Sequence, residues 1–330
     1  MEDNKQPEEK ARKRAPLKRS TTAPILVLAI FLLLRLTKLT DSSVLGGENE
    51  QFATIILELM IFLLPAAVYL RLTRRPLSQL RLTLFSLGHL LLVLSAAILL
   101  TAGSLIIDYA LRGYGVLTQN YDLYGIFISH NDGSAQSVIY IVLAYAILPA
   151  LCEETVFRAL LCSEYERRSA AAAILMPALF FAMIHFDFAH FPTYFFAGVV
   201  LALTYYTTQS IAAPILVHAA NNLLTVFGRP YIQTVYDLGG SRLFIFIIAA
   251  SALFAGFLFC AEAARAYKLY SVRGTDPAYR EMDPPYTLSG GRSALTELAA
   301  RFPRVAATLD AFFSLPALAC YIFYALVIFL

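Results

Sequence analysis

Two adjacent carboxylates stand where a membrane-spanning segment would ask for leucine. They are Glu153 and Glu154, in the stretch Pro149-Ala150-Leu151-Cys152-Glu153-Glu154-Thr155-Val156-Phe157-Arg158, which continues the apolar run from Val138 to Leu148. A charge at the centre of a bilayer costs about 2.5–3.5 kcal/mol on insertion scales, so it is normally paired and normally functional. On a helix Glu154 and Arg158 share a face at i,i+4, the spacing of an ion pair. Glu153 is rotated roughly 100° away from that face. The pair therefore reads as a brace for the helix, and Glu153 as a group facing something else. Two later stretches offer partners. His185 closes the apolar run through Phe181-Ala182-Met183-Ile184, and His218 and Asn222 share a face at i,i+4 in another. Glu153 and His185 each lie 16 residues from Ser169 in the basic turn Tyr165-Glu166-Arg167-Arg168-Ser169. In an antiparallel helix pair they stand level, roughly 24 Å from that turn.

Hydrolysis of a peptide needs an activated water, a stabilised oxyanion and a proton for the leaving amine. Glu153 is the candidate general base, since desolvation favours the neutral carboxyl. His185 can orient the water, shuttle its proton or bind a metal. His218 and Asn222, one turn apart, can present two donors to the oxyanion. Glu153, His185 and His218 could instead hold a divalent metal, zinc first, with an open position. No His-Glu-x-x-His helix is present, and asparagine is an uncommon zinc ligand, so the metal and the bare glutamate both stay open. There is no Gly-x-Ser-x-Gly elbow, no twin-aspartate pair in the spans and no phosphate-binding loop.

The order Glu-Glu-x-x-x-Arg, Phe-x-x-x-His, His-x-x-x-Asn resembles the CPBP intramembrane proteases. That family includes the type II CAAX prenyl endopeptidases and bacterial Abi-type, bacteriocin-processing and immunity proteins. The motifs here are Glu153-Glu154 with Arg158, Phe181 with His185, and His218 with Asn222, and the resemblance covers about 136–227. It implies an endopeptidase with the assignment above: catalytic Glu153, Glu154, Arg158, His185, His218 and Asn222, acting on a peptide or membrane-protein substrate. Prenylated substrates are what the eukaryotic members suggest.

Composition sets the surroundings. Hydrophobic residues make up 58% of the 330 and charged residues 15%, with a mean hydropathy of +0.64. A soluble domain carries about 25% charged residues. The expectation is an all-α, polytopic membrane protein, integral in what is read as a bacterial cytoplasmic membrane, with 8–9 transmembrane helices around a core bundle. The net charge of +3 says little about partners, and no basic, aromatic-laced face suits nucleic acid. Membrane lipid is the expected surrounding. The four cysteines lie in or beside apolar runs and read as buried small hydrophobes.

Along the chain, 1–20 reads as a disordered cytoplasmic tail, 21–135 as N-terminal spans with an outer loop, 136–227 as the core, and 228–330 as C-terminal spans with a cytoplasmic loop at 264–304. Spans are expected near 25–45, 52–70, 84–107, 136–161, 170–185, 193–207, 211–227, 243–263 and 311–330. Basic residues at Arg71-Leu72-Thr73-Arg74-Arg75 and at Arg167-Arg168 put those turns, and the N-terminus, inside. Pro149 kinks the fourth span and frees a carbonyl near the site. Gly198 is small enough to let helices approach closely, and Asn221 reads as helix–helix glue. Asp187 and His190 read as solvated turn residues, and Glu58 has no partner legible in the sequence. Two other functions remain open: a non-catalytic immunity or peptide-binding protein on the same scaffold, and a proton-coupled transporter. The absence of a repeated half argues against the transporter.

Overall fold

A computed structural model describes residues 19–39, 50–74, 76–113, 131–272 and 302–330. Most of the expected tail, of the outer loop and of the 264–304 loop falls outside these residues, and Arg19 and Ser20, expected in the tail, begin a helix. The described residues are helical: α1 (Arg19–Leu39), α2 (Glu50–Thr73), α3 (Leu90–Arg112), α4 (Ala135–Tyr165), α5 (Ala170–Ile184), α6 (Phe191–Thr208), α7 (Ala212–Phe227), α8 (Arg229–Val272), α9 (Pro303–Phe312) and α10 (Leu315–Phe329). Three buried cysteines, Cys152, Cys162 and Cys320, fit the expectation for small hydrophobes; Cys260 is exposed.

The protein is an all-α, multi-pass membrane protein, but the expected 8–9 spans are too many. Among the described residues, four helices are long and apolar enough to cross a bilayer: Ala53–Thr73, Leu87–Leu111, Ala135–Tyr165 and Pro230–Tyr270. The pair α9 and α10, bent by 45°, makes a fifth if it is one span. The surplus came from shorter apolar helices, Thr22–Thr37, Ala170–Ile184 and Ala212–Phe227, and from α6. Sixteen helical residues cover about 24 Å, against a hydrocarbon core of about 30 Å. In α5 that apolarity serves protein contacts. Met176, Ala178, Phe180, Phe181 and Ala182 of α5, for example, are all buried. Hydropathy rises equally for a side chain buried in protein and for one facing lipid, so it overcounted.

α4 carries the two glutamates and does not wind evenly. Pro149 lacks an N–H, and the turn before it widens: Leu143–Ile147 is a π-helix, with the Leu148 N–H reaching the Leu143 carbonyl. Leu148–Glu154 is α-helical, and Thr155–Cys162 is again a π-helix. Insertions of this kind recur at functional sites because they re-aim side chains. Against α4 pack α2, α5 and α7, and α6 lies along α5 and α3. The α5–α6 contact is close. A Cβ on Gly198 would sit 2.7 Å from the Ala178 Cα, so only glycine fits there. In α8 the chain kinks at Gly240, whose φ of +63° is open to glycine at little cost.

Candidate active site

Phe181, on α5, is the hub. Its ring meets His185 edge-on at 5.1 Å between centroids, His218 at 5.6 Å and Phe157 at 5.5 Å. The Arg158 guanidinium lies over it at 4.6 Å. A cation over an aromatic face is favoured, the more so where water is excluded.

Around this ring three helices meet. Glu154 and Arg158 are both fully buried on α4, paired through Arg158 Nη1 to Glu154 Oε1 at 2.8 Å. The brace expected from their spacing is therefore present. The same Oε1 lies 2.9 Å from Nδ1 of His218 on α7. Arg158 Nη2 donates to the Gly198 carbonyl of α6 at 3.2 Å. One carboxylate and one guanidinium thus tie α4, α6 and α7 together. Desolvating such a pair is expensive, and its attraction compensates only where geometry is good. Here the Glu154 Oε2 and the Arg158 Nε have no hydrogen-bond partner.

His185 caps the end of α5. Its Nδ1 lies 2.8 Å from the Phe181 carbonyl. A carbonyl only accepts, so Nδ1 carries the proton and Nε2 holds the lone pair of the neutral ring. His218 reaches Glu154 through Nδ1, which leaves its Nε2 for the site. That nitrogen donates when the ring is an imidazolium.

Glu153 is half-buried and turned from the Glu154–Arg158 face, as its position on the helix requires. Its Oε2 is buried without a hydrogen-bond partner. The charged groups around it are Glu58 of α2, Glu154 and Arg158. Asn222 is half-buried and makes no hydrogen bond to the described residues, whereas its neighbour Asn221 accepts from Thr101 of α3 at 3.2 Å, as helix glue should.

His185 and His218, two of the expected metal ligands, each engage Nδ1 with a protein partner, which leaves Nε2 of each for water or an ion. Among the described residues no three of His, Cys, Asp and Glu stand close enough to hold an ion.

Four residues were missed or misread. Glu58 lies within electrostatic reach of Glu153 and Cys152, and its Oε1 is likewise buried without a hydrogen-bond partner. An acidic residue in an apolar run was the available signal. Tyr194 of α6 stacks on His185, with centroids 3.8 Å apart and planes 15° from parallel, and no motif pointed to it. Asp187 and His190, read as solvated, pair with one another: Asp187 accepts the His190 N–H at 3.0 Å and holds its ring through the other oxygen.

Residues 135–224 match the family described as type II CAAX prenyl endopeptidase Rce1-like. The chain is 27% identical over 212 residues, 61% of its length and 84% of the relative's, to the membrane-embedded CAAX protease MroQ of Staphylococcus aureus (strain USA300). No solved structure matches it. The matched segment contains the Glu153-Glu154, Phe181–His185 and His218–Asn222 motifs in order, and it is this segment, 135–224, that belongs with the CAAX/CPBP-type intramembrane proteases.

Proposed function

We propose that this protein is an intramembrane endopeptidase that cleaves a membrane-associated or lipid-modified peptide with an activated water. The observation that carries this reading is the array of Glu154, Arg158 and His218 about Phe181, with His185 against the same ring. Nothing but the fold brings those groups together, and buried charges are seldom kept without use.

In the proposed reaction Glu153 takes a proton from water as the oxygen adds to the peptide carbonyl. The lone pair on His185 Nε2 accepts from the same water and orients it. The oxyanion is held by His218, donating through Nε2 as an imidazolium supported by Glu154, and by the Asn222 amide. Collapse of the tetrahedral intermediate breaks the C–N bond, and the proton held by Glu153 passes to the leaving amine. Glu154 and Arg158 hold α4 in place and touch no substrate. The names of the family and of the staphylococcal relative point to CAAX-type substrates. The basic segments at Arg71 and Arg167-Arg168 set those ends at the cytoplasmic face.

The test is cleavage, followed by mass spectrometry, of a prenylated peptide and of its unmodified counterpart by the purified protein in liposomes. Glu153→Gln, His185→Ala and His218→Ala are each expected to lower turnover by about 10²–10⁴-fold. Full activity in all three overturns the reading, and a biological effect that survives Glu153→Gln favours the non-catalytic alternative. Chelation tests the expected divalent metal: activity lost and restored by zinc supports it, and unchanged activity supports the bare glutamate.

A further inference from the structure

We infer that Tyr194 is a positioning residue for His185, the face against which the imidazole is held so that Nε2 meets the reacting water. The inference rests on the endopeptidase reading and deepens it.

His185 sits at the end of α5, immediately before Phe186, which takes a left-handed φ of +49°. A side chain at a helix end is ordinarily free to turn. This one is held on three sides. Its Nδ1 is tied to the Phe181 carbonyl at 2.8 Å, the Phe181 ring abuts its edge, and Tyr194 covers its face. The hydrogen bond fixes one ring atom but leaves a swing about it. The parallel contact removes that swing, because tilting the imidazole drives it into the phenol ring 3.8 Å away. The ring pairs around Phe181 itself meet at 60° to 87° and set no such plane.

Tyr194 is in turn anchored. Thr193, its chain neighbour, donates a hydrogen bond to Asp108 of α3, and both are buried. On the other side Asp187 accepts the His190 N–H and fixes the turn that leads into α6. The first turn of α6 is therefore pinned to α3 and to the α5–α6 turn, and Tyr194 projects from between the pins. If Tyr194 were packing alone, its loss would lower stability and leave the chemical step intact. As a positioning residue it acts on turnover, since a misplacement of about 1 Å at a reacting group costs as much as 10²-fold.

The experiment uses the full chain in lipid nanodiscs and the same peptide-cleavage assay, with kcat and KM resolved. Tyr194→Phe keeps the ring and is expected to stay within about twofold of wild type, while Tyr194→Leu is expected to lose about tenfold or more in kcat with KM little changed. Five histidines make the ring-nitrogen NMR spectrum sparse, and His185→Ala assigns the resonance. The Nδ1–H tautomer is expected to be resolved in wild type and Tyr194→Phe, and averaged in Tyr194→Leu. Should Tyr194→Leu fail to fold, Tyr194→Met against Tyr194→His gives the same contrast between a flexible side chain and a planar ring. Wild-type kcat in the ringless variant overturns the inference, as does an equal loss in Tyr194→Phe, which would assign the effect to the hydroxyl. Full activity in His185→Ala overturns this inference, and full activity in Glu153→Gln and His218→Ala as well overturns the endopeptidase reading with it. An inactive His185→Ala beside a fully active Tyr194→Leu overturns this inference alone.

Discussion

Oε1 of Glu154 stands 2.9 Å from Nδ1 of His218 and 2.8 Å from Nη1 of Arg158. A single oxygen on α4 therefore holds a cation on its own helix and an imidazole on α7. Groups that share one partner do not contribute independently. Glu154→Gln and His218→Ala are expected to be non-additive, with a coupling of about 0.5–3 kcal/mol in a double-mutant cycle read by thermal unfolding in detergent. Arg158→Leu leaves the buried Glu154 carboxylate with His218 as its remaining partner and is expected to destabilise by about 3–5 kcal/mol. The double change Glu154→Leu with Arg158→Leu is expected to recover most of that loss while leaving the protein inactive.

Glu58 is expected to trade stability for activity. Its Oε1 is buried with no hydrogen-bond partner, a situation that costs roughly 1–3 kcal/mol. Glu58→Leu removes the stranded group and is expected to raise the unfolding midpoint. The same change takes away a carboxylate within electrostatic reach of Glu153 and is expected to slow cleavage. A lowered midpoint would contradict the assignment of an unpartnered carboxyl.

Gly198 gives a test of close packing. The Cβ of Gly198→Ala would meet the Ala178 Cα at 2.7 Å and its carbonyl oxygen at 3.0 Å, backbone that cannot step aside without parting α5 from α6. Overpacking of this kind costs about 1–3 kcal/mol. It also displaces the carbonyl that accepts from Arg158, so turnover is expected to fall with stability. Gly256→Ala is the control: its Cβ would meet only Leu99 Cδ1, at 3.7 Å, an ordinary contact. Equal effects of the two substitutions would refute the account.

Acid is expected to loosen the α5–α6 turn through Asp187. Partial burial by itself would raise this carboxyl, but the backbone N–H of His190, its ring and the Ala189 N–H together hold it below its ordinary value of 3.8. A carboxyl depressed in the folded state contributes stability above its unfolded value and loses it as pH falls through the folded one. The wild type is therefore expected to lose part of its thermal stability as pH drops below about 3.9. Asp187→Asn, unable to titrate, is expected to show a shallower decline. Parallel curves would exclude Asp187 as a source of that dependence.

The local relationships were legible in the sequence because helical geometry fixes them. Glu154 and Arg158 pair as i,i+4 neighbours must, Glu153 turns to another face, and Pro149 disturbs the winding before it. Gly198 and Asn221 were legible for a related reason: a residue without a side chain, or an amide in an apolar helix, has few purposes other than contact between helices. The three motifs in order were enough to place the family.

The tertiary structure decided what depends on how one helix is rotated against the next. His218 was expected beside Asn222 and an oxyanion; packing of α7 on α4 aims its Nδ1 at Glu154. Tyr194 over His185 arises across the turn between two helices, and Glu58 within electrostatic reach of Glu153 from helices far apart in the chain, and no spacing rule reaches either. The number of spans belongs with these. An apolar side chain has the same hydropathy in lipid and in a protein core, so only the folded chain shows that α5 and α7 are too short to cross and that α5 buries most of its apolar surface in its neighbours.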